Sequence, residues 1–322
     1  MKAFVTGGTG FVGAHLVRAL LERGYQVTCL VRSPGKAAAL GWDRVRMVHG
    51  DLSDPTALRE GCAGTDVVFH LAGRISARDL RDFMTVNRDG TAELLEAAAP
   101  EPLARFVYLS SLAAGGPTVP GRPIDESRPP APVTDYGRSK LAGEVLVRAA
   151  ALPWTIVRAP VVYGEWDREV LKLFKVARTG VAPVFGDGSQ ELSVVYAGDL
   201  AQALIAAATT PAAARKVYYA AHPVTTTSRG LVRAVGGAVG RTPRIVPLPP
   251  PLVRALLWTI GTLAHLAGRT TLLSADKANE FLAPAWTCRA DALTADTGWR
   301  AQTDLEAGVY RTAAWYRAQA WL

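Results

Sequence analysis

Tyr136 and Lys140 stand four residues apart in the run Tyr136-Gly-Arg-Ser-Lys140, and that spacing suits proton transfer. On a helix, residues four apart share a face. A free phenol titrates at a pKa of about 10. An ammonium beside it favours the phenolate, so the tyrosine could exchange a proton near neutrality. Upstream, the pair Ser110-Ser111 ends an apolar run, and the chain opens on Thr6-Gly7-Gly8-Thr9-Gly10-Phe11-Val12-Gly13. A glycine-rich turn between a strand and a helix lets the backbone approach a pyrophosphate, whose charge meets free N–H groups at the helix N-terminus. Such a turn alone is a weak signal, and a tyrosine and lysine at this spacing also occur on solvated helix faces. Their order along one chain, each at a strand end or a helix start, joins them into one site.

The elements that must position these residues alternate. Apolar runs at 2–6, 26–31, 45–49, 66–71, 106–109 and 154–157 read as strands. Helical stretches at 11–24, 54–62, 79–99 and 136–151 fall between them. Strict alternation predicts an α/β fold, a doubly wound parallel sheet covered on both faces. Ligands of such sheets bind at the carboxyl ends of the strands. The glycine turn, Asp51, Ala72-Gly73 and Ser110-Ser111 all follow a strand, so one pocket can collect them. Residues 1–160 are expected to form the dinucleotide-binding domain. Residues 161–322, punctuated by Pro183, Gly186-Asp-Gly188 and Pro247-Leu-Pro-Pro-Pro251, are expected to form mainly a smaller substrate-binding lobe. A segment at about 190–210 is expected to return to the first domain. In the second half, helices are expected near 167–179, 198–209, 228–239, 249–267, 274–282 and 304–319, and strands near 192–196, 217–220 and 243–247.

The chain has 322 residues, 49% apolar and 20% charged, an ordinary globular composition long enough for a large core. Cys29, Cys62 and Cys288 lie far apart, with no CxxC or Cys/His spacing. Neither a metal nor a disulfide framework is expected, and the compartment implied is reducing. A strand beginning at residue 2 leaves no room for a charged-then-apolar leader, so the expectation is a cytoplasmic protein. The net charge of +8 is uneven: from Leu200 to Ala275 there are eight Lys or Arg and no acid. Such a stretch is either an Arg-rich solvated surface, the reading ranked first, or a face for anions. Nucleic acid is not expected, since no helix-turn-helix, zinc-finger or RNA-stacking signature accompanies the charge.

Taken together, the glycine turn, His70-Leu-Ala-Gly73, Asn87-Arg-Asp-Gly-Thr91, Phe106-Val-Tyr-Leu-Ser-Ser111, Tyr136-Gly-Arg-Ser-Lys140 and Arg158-Ala-Pro-Val-Val-Tyr-Gly164 resemble the extended short-chain dehydrogenase/reductase family, epimerase/dehydratase-like. The resemblance covers most of the chain, strongly through residue 210 and weakly beyond. It implies a Rossmann fold and a homodimer, through the helices at 79–99 and 136–151. It implies Ser111, Tyr136, Lys140 and Asn87 as catalytic residues, Ser111 binding the substrate oxygen and Asn87 ordering the lysine side. Ser110 becomes a neighbour of the cofactor, and His70 a structural or cofactor-adjacent residue. To the cofactor it assigns Gly7, Thr9, Gly10, Phe11, Val12, Arg32, Asp51, Leu52, Leu71, Ala72, Gly73, Tyr136, Lys140, Pro160 and Val162, with Asp51 on the adenine amino group. The nicotinamide would supply the hydride.

Cofactor and reaction follow from departures within that family. An acid after the second strand holds the ribose hydroxyl of NAD, whereas arginine accommodates the phosphate of NADP. Here the strand ends Cys29-Leu-Val-Arg32-Ser33, followed by Lys36, without an acid. NADP is therefore expected over NAD. Nucleotide-sugar members carry an Arg-Asp-aromatic stretch where this chain has Leu192-Ser193, and dehydratases an acid where it has Leu112-Ala-Ala114. The motifs stand closer to the 3β-hydroxysteroid dehydrogenase and dihydroflavonol reductase branch. Hydride transfer to or from a ketone, aldehyde or secondary alcohol on an apolar small molecule is expected, with Tyr136 as general acid/base. A nucleotide-sugar epimerase or dehydratase with tightly bound NAD is the alternative, and a non-catalytic dinucleotide sensor a minor one.

Pro249–Gly268 is a long apolar run interrupted by Arg254 and His265, too short and too broken for a membrane span. Apolar on nearly all faces, it reads first as core. Beside unopposed cations it also suits a lipid-like substrate or peripheral contact with an anionic bilayer. Tyr163, Leu256 and Trp258 are on that view near an apolar substrate channel.

Overall fold

The computed structural model describes residues 1–33, 35, 37 and 40–322; Lys36 lies outside the described residues. Six strands come from the first half: β1 (Lys2–Thr6), β2 (Gln26–Val31), β3 (Val45–His49), β4 (Val67–His70), β5 (Arg105–Ser111) and β6 (Trp154–Ala159). With the later strand Lys216–Tyr219 they form one parallel sheet of seven, ordered Lys216–Tyr219, β6, β5, β4, β1, β2, β3. The order reverses between β1 and β4, which opens a crevice at their carboxyl ends. Strands covered on both faces need no polar alternation, and every residue of β4 and β6 is buried.

Two apolar layers flank the sheet. On one side helix α1 (Phe11–Glu22) sets Leu16, Val17 and Leu20 against Leu200, Leu204 and Ile205 of the helix Ala197–Thr209. On the other, Leu58, Leu94, Leu95 and Val147 cover Phe4, Val68 and Phe106. The helix Pro55–Cys62 starts at Asp54, whose carboxylate accepts from Thr56 and Ala57 N–H, with proline in the first turn. Lys216–Tyr219 is the sheet's outermost strand on the β6 side.

The second lobe is assembled from distant pieces. Val181–Phe185 pairs in parallel with Arg244–Leu248. Glu191–Leu192 lies between Thr226–Thr227 and Ala285–Trp286. The helices Arg168–Arg178, Ser228–Ala238 and Leu305–Ala318 close around Phe174, Val235 and Tyr316. The helix expected at 274–282 is only Ala278–Phe281, and the helix Asp291–Thr297 was not expected.

The helix Pro250–Leu266 departs from the first-ranked expectation of core. Only Val253 and Leu257 are buried, against Phe185, Leu248 and Phe281. No helix among the described residues is long and apolar enough to cross a membrane.

Candidate active site

The glycine turn is built for close approach. Gly7 has φ +75°, and a Cβ there would stand 2.5 Å from the Ala72 nitrogen. A Cβ on Gly13 would collide with the Gly7 carbonyl. The turn is thus pressed against the segment after β4, where Leu71 N–H donates to Thr6 O at 3.1 Å and Ala72 N–H to Thr6 Oγ1 at 3.3 Å. Gly10 enters α1 in an extended conformation without a side-chain cap, and the first turn holds no acid. The N–H groups of Phe11 and Val12 therefore remain for an anion. Thr9, Leu71 and Ala72 are half-buried around the turn, and Gly10 and Gly73 are exposed. A pyrophosphate fits this cradle.

Arg32 and Asp51 follow the carboxyl ends of β2 and β3. Asp51 accepts from Ser53 N–H at 2.8 Å and Ser53 Oγ at 2.6 Å. These bonds, and then the Arg32 guanidinium, hold its carboxyl below the ordinary value. Since Asp54 caps the helix Pro55–Cys62, Asp51 has no capping duty. Leu52 packs at the closest approach of Gly90. Pro160 and Val162 lie half-buried just beyond β6, Val162 paired with Val195.

Thr134 caps the helix Asp135–Ala149 by accepting from Gly137 N–H, which sets Tyr136 in the first turn and Lys140 one turn on. Ser111 ends β5 with its hydroxyl accepting from Ala113 N–H at 3.1 Å. Burial pushes the Tyr136 phenol up to about 12, opposed by a hydrogen bond to Ser111. Burial pulls Lys140 down to about 7, opposed by Glu144. The expectation that the ammonium sets the tyrosine's acidity is corrected here. Lys140 Nζ lies 4.2 Å from the centre of the Tyr108 ring, and burial is the largest cause of the shift at Tyr136.

Asn87 is buried in a π-helical turn, Thr85–Asp89, a distortion frequent at functional sites. Its Oδ1 accepts from Arg74 N–H at 2.7 Å, and its Nδ2 donates to Arg74 O at 2.9 Å and to Ser139 Oγ at 2.8 Å. It ties the loop after Gly73 to the residue preceding Lys140. His70 is wholly buried between Thr6 Oγ1 (2.7 Å) and Thr91 Oγ1 (2.9 Å), and burial lowers its pKa to about 3. It stays neutral and structural. Ser110 is buried, and its hydroxyl donates to buried Glu144 at 2.6 Å. Glu144 also accepts from Arg158 Nε at 2.8 Å and Nη2 at 2.7 Å.

The proposed channel residues do not come together. Tyr163 is buried in the second-lobe core, its hydroxyl donating to Asp304 O at 3.1 Å and its ring against Gly308. Leu256 and Trp258 lie on the outside of their helix, 41% and 62% exposed. What does face Tyr136 was missed: Lys277 Nζ lies 5.0 Å from the phenol ring centre and pairs with Glu280 at 2.6 Å. Phe83 packs on the same ring at 6.0 Å. No local spacing links residues 136 and 277.

A dinucleotide cradle facing a tyrosine–lysine helix across one sheet edge is the arrangement of the extended short-chain dehydrogenases/reductases. The chain belongs to the NAD dependent epimerase/dehydratase family, whose profile matches residues 3–221, and is an NAD(P)-dependent oxidoreductase of that family. A ceramide reductase of Caulobacter vibrioides is 34% identical, covering 99% of this chain and 95% of that protein. A UDP-glucose 4-epimerase of Mycolicibacterium smegmatis is 30% identical, covering 98% of this chain and 99% of that protein. The solved UDP-glucose 4-epimerase of Thermus thermophilus, in complex with NAD, aligns with a TM-score of 0.80 at 25% identity, covering 98% of this chain and 99% of that one.

Proposed function

We propose that this enzyme reduces a ketone on a large apolar, lipid-like substrate with NADPH. The observation that carries the reading is the placement of Tyr136 in the first turn of its helix, one turn before Lys140, with burial raising its phenol above the ordinary value. A protonated phenol is a general acid. In this reading Ser111 donates to the substrate carbonyl oxygen, and Tyr136 delivers its proton as that oxygen becomes an alkoxide. Lys140, one turn beyond Tyr136, binds the ribose, while Asn87 fixes the loop and helix around it. The nicotinamide supplies the hydride when bound. Arg32, exposed at the end of β2 with no acid on that turn, supports NADPH. Likeness to a ceramide reductase over nearly the whole chain supports an apolar ketone. A homodimer through residues 80–98 and the helix Asp135–Ala149, which exposes Val145, belongs to the same reading.

The second reading is a nucleotide-sugar epimerase. It is favoured by a cavity of about 450 Å³ lined by Arg229, Arg233 and Arg241, a setting for a diphosphate, and by the epimerase relative. Turnover separates the two. A reductase consumes NADPH in proportion to ketone and releases the spent cofactor. An epimerase interconverts UDP-sugars without net NADPH loss.

A further inference from the structure

We propose that the helix Pro250–Leu266 lies flat on an anionic lipid bilayer and docks the enzyme there. Leu252, Leu256, Leu263 and Leu266 recur at i, i+4, i+11 and i+14, so they form one stripe along the helix. All four are exposed, Leu263 by 61% and Leu266 by 77%. A different face, Val253 and Leu257, anchors the helix to its lobe. Four leucines left in water on a well-anchored helix call for an apolar covering.

Charge selects the covering. The helix sits inside the stretch Leu200–Ala275, which holds eight Lys or Arg and no acid. Arg254 and Trp258 are exposed on a further face of the helix, and exposed Arg269 follows its C-terminal end, its N–H donating to Ala264 O at 2.8 Å. An exposed leucine stripe within an acid-free, arginine-bearing stretch matches the boundary of an anionic leaflet. At 17 residues the helix is about 25 Å long, and no helix of the described residues can span. It therefore lies on the surface rather than crossing it.

The docking helix leads directly to the chemistry. Within the eleven residues after it, Thr270 Oγ1 comes to 3.5 Å from Ser76 Oγ in the loop beyond Gly73, and Lys277 reaches the Tyr136 ring. Exposed Ile75 and Leu273 belong to these two segments. A ketone carried on a membrane lipid would enter past them. That delivery rests on the lipid-ketone reading above, whereas the docking does not.

The test is flotation of the intact enzyme with vesicles of phosphatidylcholine alone or mixed with phosphatidylglycerol, alongside light scattering and turnover of a short water-soluble ketone. The enzyme is expected to float with the anionic vesicles, less so in high salt, and not with phosphatidylcholine alone. Leu263→Glu with Leu266→Glu should cut the floated fraction at least about tenfold while leaving ketone turnover unchanged. Absence of flotation, or flotation indifferent to the two glutamates, overturns the docking. A dimer that the same substitutions dissociate, with no flotation, assigns the stripe to a second copy and also overturns it. Flotation without ketone turnover leaves the docking standing and removes the reaction reading instead.

Discussion

Replacing Glu144 with Gln should destabilise the fold and shift the site's titration together. Glu144 is buried, accepts Ser110 and takes two bonds from Arg158, whose third donor reaches Tyr219 OH at 2.8 Å. Arg158 is itself 1% exposed. Burial disfavours its charge, yet bonding to Glu144 raises its pKa above the ordinary value. Glutamine keeps the shape and removes the counter-charge, which leaves a buried guanidinium without compensation. Breaking such a pair costs roughly 3–5 kcal/mol. At about 2–4 °C per kcal/mol for chains of some 150–250 residues, and less for a longer one, the melting point should fall by around 10 °C. Adding Arg158→Met removes the orphaned charge and should recover most of the loss. Glu144 also raises the pKa of Lys140, so the variant's kcat/KM profile should move to lower pH. Thermal unfolding and the pH profile are both read on the purified variants. A melting point within about 2 °C of the parent, with an unmoved profile, would refute the role given to this pair.

Two further outcomes are expected. Arg32→Asp should shift preference from NADPH toward NADH, measured by calorimetry, and tighter NADH than NADPH binding by the parent would reject the assignment. The pKa of Lys140 falls from 10.5 to about 7 on folding. Between these values the unfolded chain binds a proton that the folded one does not, so stability should rise as pH climbs through that window. Denaturant titrations of the parent and Lys140→Met should show the slope in the first and its reduction in the second.

The cofactor half of the chain was legible because its signals are local. The glycine turn, the apolar strands and the Tyr136/Lys140 spacing each sit within a few residues of one another. The second lobe was not, because its contacts are long-range. Val181–Phe185 finds its partner at Arg244–Leu248, and Tyr136 meets Lys277 across 141 positions of chain. Tyr163 was expected beside a substrate channel, yet the C-terminal helix closes over it at Gly308. The run Pro250–Leu266 is apolar on most faces, which ordinarily means burial. Whether neighbours cover it depends on the lobe's assembly, and here they cover only Val253 and Leu257. The sense of the Tyr136 shift was also hidden, since desolvation is a property of packing and not of spacing.

The most direct measurement is NADPH consumption with a long-chain ketone by the parent and by Tyr136→Phe, with UDP-glucose as the competing substrate. The parent should consume NADPH in step with the ketone and leave UDP-glucose unchanged. Tyr136→Phe should bind NADPH normally and lose about 10²–10⁴ in rate. Interconversion of UDP-sugars without NADPH loss, or near-parental ketone reduction by Tyr136→Phe, would contradict the account.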